Sequence, residues 1–174
     1  MNESTINGLQ RLAGRLHGNL YWPGEQGYNA AVQIWNAMIE RRPAAVVAPS
    51  GEADVADTVE AARALGLPLS IRGGGHNVAG LAVCEGGLML DLSGLRAVRV
   101  DPDRRRVHVA PGARWADVDR ETQRHGLAVP SGLISATGVA GLTLGGGFGW
   151  TSRTLGLTCD RSEEHTSELQ SPSA

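Results

Sequence analysis

The residues best suited by type and spacing to do chemistry are Ser70-Ile71-Arg72-Gly73-Gly74-Gly75-His76-Asn77, where a short apolar run ends in an arginine, three glycines and a histidine. Glycine takes positive φ freely and lets a ligand lie against bare N–H groups. A chain without a lysine-bearing phosphate loop can hold a pyrophosphate in this way. His76 would stand at the lip of that cradle, with Arg72 and Asn77 at its ends. Taken alone, the run reads equally well as a tight turn with a surface histidine.

It is not alone. A second glycine cluster lies some sixty residues on, Thr137-Gly138-Val139-Ala140-Gly141-Leu142-Thr143-Leu144-Gly145-Gly146-Gly147-Phe148-Gly149-Trp150. Its glycines are mixed with apolar residues of the buried type instead of Ser and Pro. That texture belongs to an ordered backbone closely approached by something, not to a flexible linker.

In this order and at this spacing the two clusters resemble the PCMH-type FAD-binding domain of the vanillyl-alcohol-oxidase superfamily. Within it the match is to the berberine-bridge-enzyme-like group of covalent flavoprotein oxidases, over runs from about Pro43 to Asp160. The resemblance implies an α+β fold of two lobes, a small strand-helix-strand lobe beside a lobe of mixed sheet, and FAD as cofactor. It places His76 where the family joins a histidine ring nitrogen to the 8α-methyl carbon of the flavin. Arg72, Gly73, Gly74, Gly75 and Asn77 then fit the pyrophosphate cradle, and Thr137, Gly138, Gly141, Gly145, Gly146 and Gly147 the second wall. Some relatives add a bond from a cysteine to flavin C6. Ile134 stands at that position here, and neither Cys84 nor Cys159 falls in the motif, so one covalent link is expected.

The implied chemistry is hydride transfer from an alcohol or amine carbon of a small-molecule substrate to flavin N5, with O2 as acceptor and H2O2 as product. In the family the substrate domain lies downstream of everything present here, so no catalytic residue is named. The chain is expected to supply FAD binding only, to be inactive by itself, and to fold poorly with its second lobe incomplete. A stand-alone nucleotide-binding module without turnover is the alternative. An NAD-dependent Rossmann dehydrogenase is disfavoured, because no GxGxxG follows the first strand.

Composition narrows the partners. The net charge is −2 over 174 residues and the one basic run, Arg104-Arg105-Arg106, is short, so nucleic acid is not expected. Two cysteines form neither a metal-site spacing nor a disulfide scaffold, which points to a reducing, cytoplasmic setting and no metal. No run approaches the ~18 apolar residues of a membrane span, and the N-terminus lacks a leader pattern.

The elements that must position these residues are read from periodicity. Residues 1–42 form an N-terminal helical segment, with Ala31, Ile34, Trp35 and Met38 at helical spacing between Tyr28 and Ile39 and expected in the core. The FAD-binding domain spans 43–160. Ala44 to Ala48 is a buried strand; Ser50 caps a helix running to Leu65, with Val55, Val59, Ala62 and Leu65 on its inner face and Gly66 closing it. Leu67 to Arg72 is the strand that delivers the glycine cradle. Further strands are expected at Leu88 to Leu92, Ala97 to Val100 and Arg106 to Ala110, with His108 facing solvent. A helix from Trp115 to His125 buries Trp115, Val118 and Thr122, and Cys84 and Cys159 are expected to be small buried residues. Residues 161–174 change character abruptly and resemble an in-frame translation of a sequencing-library adapter. They are expected to be a non-native tail, and His165 carries no role.

Overall fold

Val46 and Val47, like Leu88, Met89 and Leu90, are adjacent apolar residues with no polar alternation, the pattern of strands buried on both faces. In the computed structural model, which describes residues 2–162, they form the centre of a four-stranded sheet. Its order is β1-β2-β4-β3: β1 (Asn19–Tyr21), β2 (Ala45–Ala48), β4 (Leu88–Asp91) and β3 (Leu69–Arg72). The pairs β2–β4 and β4–β3 are parallel, and β1 is antiparallel at the edge. Val47, Leu88 and Leu90 pack on Leu9 and Leu12 of α1 (Glu3–Ala13) and Ala62 of α3 (Glu52–Leu65). Val46 and Met89 face the other way, onto Val83 and onto Tyr28 and Ala31 of α2 (Gln26–Ala31).

The strand-helix-strand unit β2-α3-β3 forms as expected, yet its two strands do not touch. The later strand β4, buried at all four positions, takes the central place between them. The more polar β3, carrying Ser70 and Arg72, is left at the edge.

A second lobe follows. It consists of the antiparallel hairpin β5 (Val98–Asp101) and β6 (Arg106–Val109), the helix α4 (Trp115–Gln123), and the short helices α5 (Val139–Leu144) and α6 (Ser152–Leu155). Ala113, Trp115, Val118 and Val139 form its core against Val98, Val107 and Val109. His108 is exposed, and Trp115, Val118 and Thr122 are buried, as expected. The α+β class and the two lobes hold, with the mixed sheet in the first lobe and a two-stranded sheet in the second. No helix among the described residues is long and apolar enough to cross a membrane. Residues 163–174 of the expected tail lie outside the described residues.

Three expectations are corrected. The helix expected over 28–39 ends at Ala31, leaving Trp35 and Met38 exposed instead of in the core. A continuing helix would need the Trp35 N–H on the Ala31 carbonyl four residues back. Both groups are taken by tertiary partners: Arg72 Nη1 donates to Ala31 O at 2.9 Å, and the Trp35 N–H donates to Gly75 O at 3.0 Å. Second, Cys84 and Cys159 are half-buried, with Cys84 Sγ donating to Leu88 O at 3.3 Å.

Third, Gly51 and not Ser50 caps α3, and of its expected inner face Val55, Ala62 and Leu65 pack on the core while Val59 is exposed, with Asp54 and Thr58 buried beside them. Asp54 is buried because it is fully hydrogen-bonded. Its carboxylate is 1% exposed and accepts the N–H groups of His17 at 2.9 Å, Gly18 at 2.8 Å and Ser50 at 2.8 Å, and the Ser50 hydroxyl at 3.0 Å. Gly66 closes α3 in the left-handed conformation at φ 62°, as expected.

Burial by itself would raise the Asp54 carboxyl pKa. The donors outweigh it, the Ser50 N–H first and then those of His17 and Gly18, and hold it well below the ordinary carboxylate range. A carboxyl depressed in the fold stabilises it fully above the unfolded value near ~4 and progressively less as pH falls below that. Asp54→Asn turns an NH2 toward these donors. It is expected to cost about 3 kcal/mol at neutral pH and to flatten the loss of stability between about pH 4 and pH 2, read from urea midpoints across pH.

Candidate functional site

The chain leaves the carboxyl end of β3 as Gly73-Gly74-Gly75-His76, and the second lobe comes to meet it. Thr137 to Val139 is held like a strand against the start of α4. Trp115 N–H donates to Thr137 O at 3.1 Å, Ala116 N–H to Ser135 O at 2.9 Å, and Val139 N–H to Ala113 O at 2.9 Å. The first two bonds satisfy donors that α4 would otherwise leave orphaned. They also present Gly138 to the glycine loop. A Cβ on Gly74 would lie 2.6 Å from Gly138 Cα, and one on Gly138 would lie 2.7 Å from Gly74 Cα. Two backbones meet here at a distance that only glycine on both sides permits.

Between the two clusters lies a cleft of about 450 Å³. Of the twelve residues expected from sequence, ten line it: Gly73, Gly74, Gly75, His76 and Asn77 on one wall, Thr137, Gly138, Gly141, Gly145 and Gly147 on the other. Arg72 and Gly146 do not. The Arg72 guanidinium turns back into the first lobe, where Nη1 pairs with Asp91 Oδ2 at 3.2 Å as well as with Ala31 O. Gly146 accepts the Cys159 N–H at 3.0 Å through its carbonyl, behind the wall.

Sequence reasoning missed an apolar part of the lining, formed by Ile71, Leu81, Ala82, Leu142 and Phe148. One signal was legible for Ile71. Strand alternation sets it opposite Ser70, and Ser70 is the buried one. Ile134 is exposed, in the loop before Thr137.

The cleft is chemically unfinished. Among the described residues, the N–H groups of Gly74, Gly75 and His76 donate to no protein acceptor. Successive unpaired N–H groups in a glycine turn form a concave nest for anionic oxygen. Where Gly74 meets Gly138 the two walls are glycine backbone, and His76, Asn77 and Thr137 stand beside them in the lining. A pyrophosphate-bearing ligand therefore fits what this loop leaves open.

A family model described as FAD binding domain matches residues 43–166. The chain belongs to this FAD-binding family. It is 32% identical over 145 residues to (R)-6-hydroxynicotine oxidase of Paenarthrobacter nicotinovorans, covering 83% of this chain and 32% of that protein. Its fold superposes on that of a variant of BBE-like 1 from Physcomitrella patens with a TM-score of 0.81 and 28% identity, covering 87% of this chain and 34% of the other. The glucooligosaccharide oxidase of Acremonium strictum superposes with a TM-score of 0.82 and 29% identity, over 88% of this chain and 32% of its own. That oxidase carries a 6-S-cysteinyl, 8α-N1-histidyl FAD. These findings uphold the resemblance drawn from the glycine clusters. The chain spans about a third of the length of the relatives it matches.

The backbone contact predicts opposite outcomes for two glycines of the lining. Gly74→Ala drives a Cβ into Gly138 backbone and is expected to cost about 1–3 kcal/mol or more. At Gly141, inside α5, an added Cβ meets nothing within 4 Å. Gly141→Ala is expected to be neutral or stabilising by about 0.5–1 kcal/mol. Urea midpoints of the two variants check this.

Proposed function

We propose that this domain binds FAD in the cleft between the two glycine clusters, with one covalent link at His76, as the cofactor-carrying part of an FAD-dependent oxidoreductase. The carrying observation is the unpaired N–H series Gly74-Gly75-His76 facing a second glycine wall. The N–H groups would hold the pyrophosphate, with Thr137, Gly138, Gly141, Gly145 and Gly147 across from them. A flavin held there would supply two-electron hydride chemistry toward an alcohol or amine carbon of a small-molecule substrate, with O2 as the acceptor.

The chain's own residues have separable tasks. His76 borders the cleft and would offer a ring nitrogen to the 8α carbon of a flavin held there. This requires the unprotonated imidazole, since the nitrogen lone pair forms the bond. Ile71, Leu81, Ala82, Leu142 and Phe148 give the cleft an apolar side suited to a flat aromatic ring system. Arg72 contributes from behind, by fixing the exit of β3 against Asp91. With Ile134 in place of a cysteine before the second cluster, the link is single.

The test is the chain incubated with FAD and then denatured. The wild type is expected to stay yellow and to gain the mass of one FAD less two hydrogens. His76→Ala is expected to release all its flavin on denaturation while still binding FAD reversibly. A wild-type chain that binds FAD but releases it on denaturation would sink the covalent link and favour a nucleotide-binding module.

A further inference from the structure

The His76 imidazole is stacked on the indole of Trp35, with ring centroids 6.1 Å apart and planes inclined by 22°. Core formation does not require Trp35 there, for it is 63% exposed. Its place is set by a strap of residues 34–41 lying along the outer side of the glycine loop. The Trp35 N–H donates to Gly75 O at 3.0 Å, Asn36 Nδ2 to Val78 O at 2.7 Å, and Arg41 Nη1 to Gly80 O at 2.9 Å. The loop is thus held from both sides, by the strap at Gly75 and by Gly138 at Gly74. Among the described residues, no hydrogen bond reaches either ring nitrogen of His76. The Trp35 stack therefore acts on the ring where no hydrogen bond does.

We propose that Trp35 is a positioning residue for flavin attachment, fixing the plane of the His76 imidazole so that a ring nitrogen is directed into the cleft. The inference rests on the reading of His76 as the attachment residue. In that step an imidazole N–H and a C–H of the 8α methyl break and one C–N bond forms. Two electrons and two protons pass to dioxygen, giving H2O2. The nitrogen lone pair lies in the ring plane, so a partner on the ring face orients it without occupying it. A histidine χ2 is otherwise broad and two-fold, and a freely turning ring would spend little time aligned with the new bond. An offset aromatic stack is strong enough to change the rate of such a step about 3- to 10-fold.

The experiment follows attachment in time. The chain is mixed with FAD, samples are denatured, and chain-bound flavin fluorescence is measured, with reversible FAD affinity determined on His76→Ala backgrounds. Trp35→Ala is expected to slow attachment about 3- to 10-fold with affinity within about 2-fold of the parent, and Trp35→Phe to restore most of the rate. A second readout needs no flavin. NMR of the chain without FAD is expected to show the His76 ring protons shifted upfield by the indole, and Trp35→Ala to return them to ordinary positions. Attachment by Trp35→Ala at the wild-type rate, or ring protons unmoved by the substitution, would overturn the role of Trp35 and leave the His76 reading intact. A wild-type chain that never attaches flavin would instead overturn both.

Discussion

Gly74 and Gly138 touch backbone to backbone, and the cleft between the lobes depends on that contact. Each would collide with the other if it carried a Cβ. Because they do not, the loop after β3 and the strand-like run before α5 share one line of approach, and the remaining glycines open outward from it as the walls of the cleft. Beside this contact, among the described residues, the N–H groups of Gly74, Gly75 and His76 have no protein acceptor, an arrangement suited to anionic oxygen. Lobe packing and ligand capacity are therefore one feature of the chain. A substitution at either glycine acts on both.

Buried carboxylates hold the pieces that present this contact. Asp91 receives Arg72 and so ties the end of β3 to β4, while Arg72 also ends α2 by occupying the Ala31 carbonyl. Asp117 accepts the Arg114 N–H at 2.9 Å and the Arg96 guanidinium at 2.7 Å, joining the start of α4 to the segment before β5. Burial would raise the Asp117 carboxyl pKa; the Arg114 N–H, the Arg96 bonds and the nearby positive charges hold it below the ordinary range. Asp54 does the corresponding work for the N-terminal arm. Each carboxylate is satisfied by donors from residues distant in the chain or by backbone at a helix start. A buried charge is tolerable only under that condition.

The relatives that match this chain over about a third of their own length act on unlike molecules by name, a hydroxynicotine in one and glucooligosaccharides in another. Their shared part with this chain is the region that shapes the glycine cleft. That division explains why the candidate site here is rich in backbone and poor in acid or base side chains. Holding a nucleotide cofactor asks for N–H groups and close approach, which glycine supplies.

The glycine clusters were legible in the sequence because their chemistry is local: a residue without a Cβ announces a backbone that must be approached, wherever the partner lies. The buried strands β2 and β4 and the helices α3 and α4 were legible for a similar reason, since periodicity and end signals are written along the chain. Tertiary structure decided the rest. It inserted β4 between β2 and β3, because burial of both edges rewards the more apolar strand. It turned Arg72 away from the cleft toward Asp91, an ion pair across 19 residues of sequence. It also ended α2 at Ala31, where two hydrogen bonds to distant residues replace one helical bond, and so placed Trp35 on His76 instead of in the core. Helical spacing at Ala31, Ile34, Trp35 and Met38 records a local preference of a few tenths of a kcal/mol per residue, roughly. Specific hydrogen bonds from a loop some forty residues away outweigh it, and no pattern within the segment discloses them.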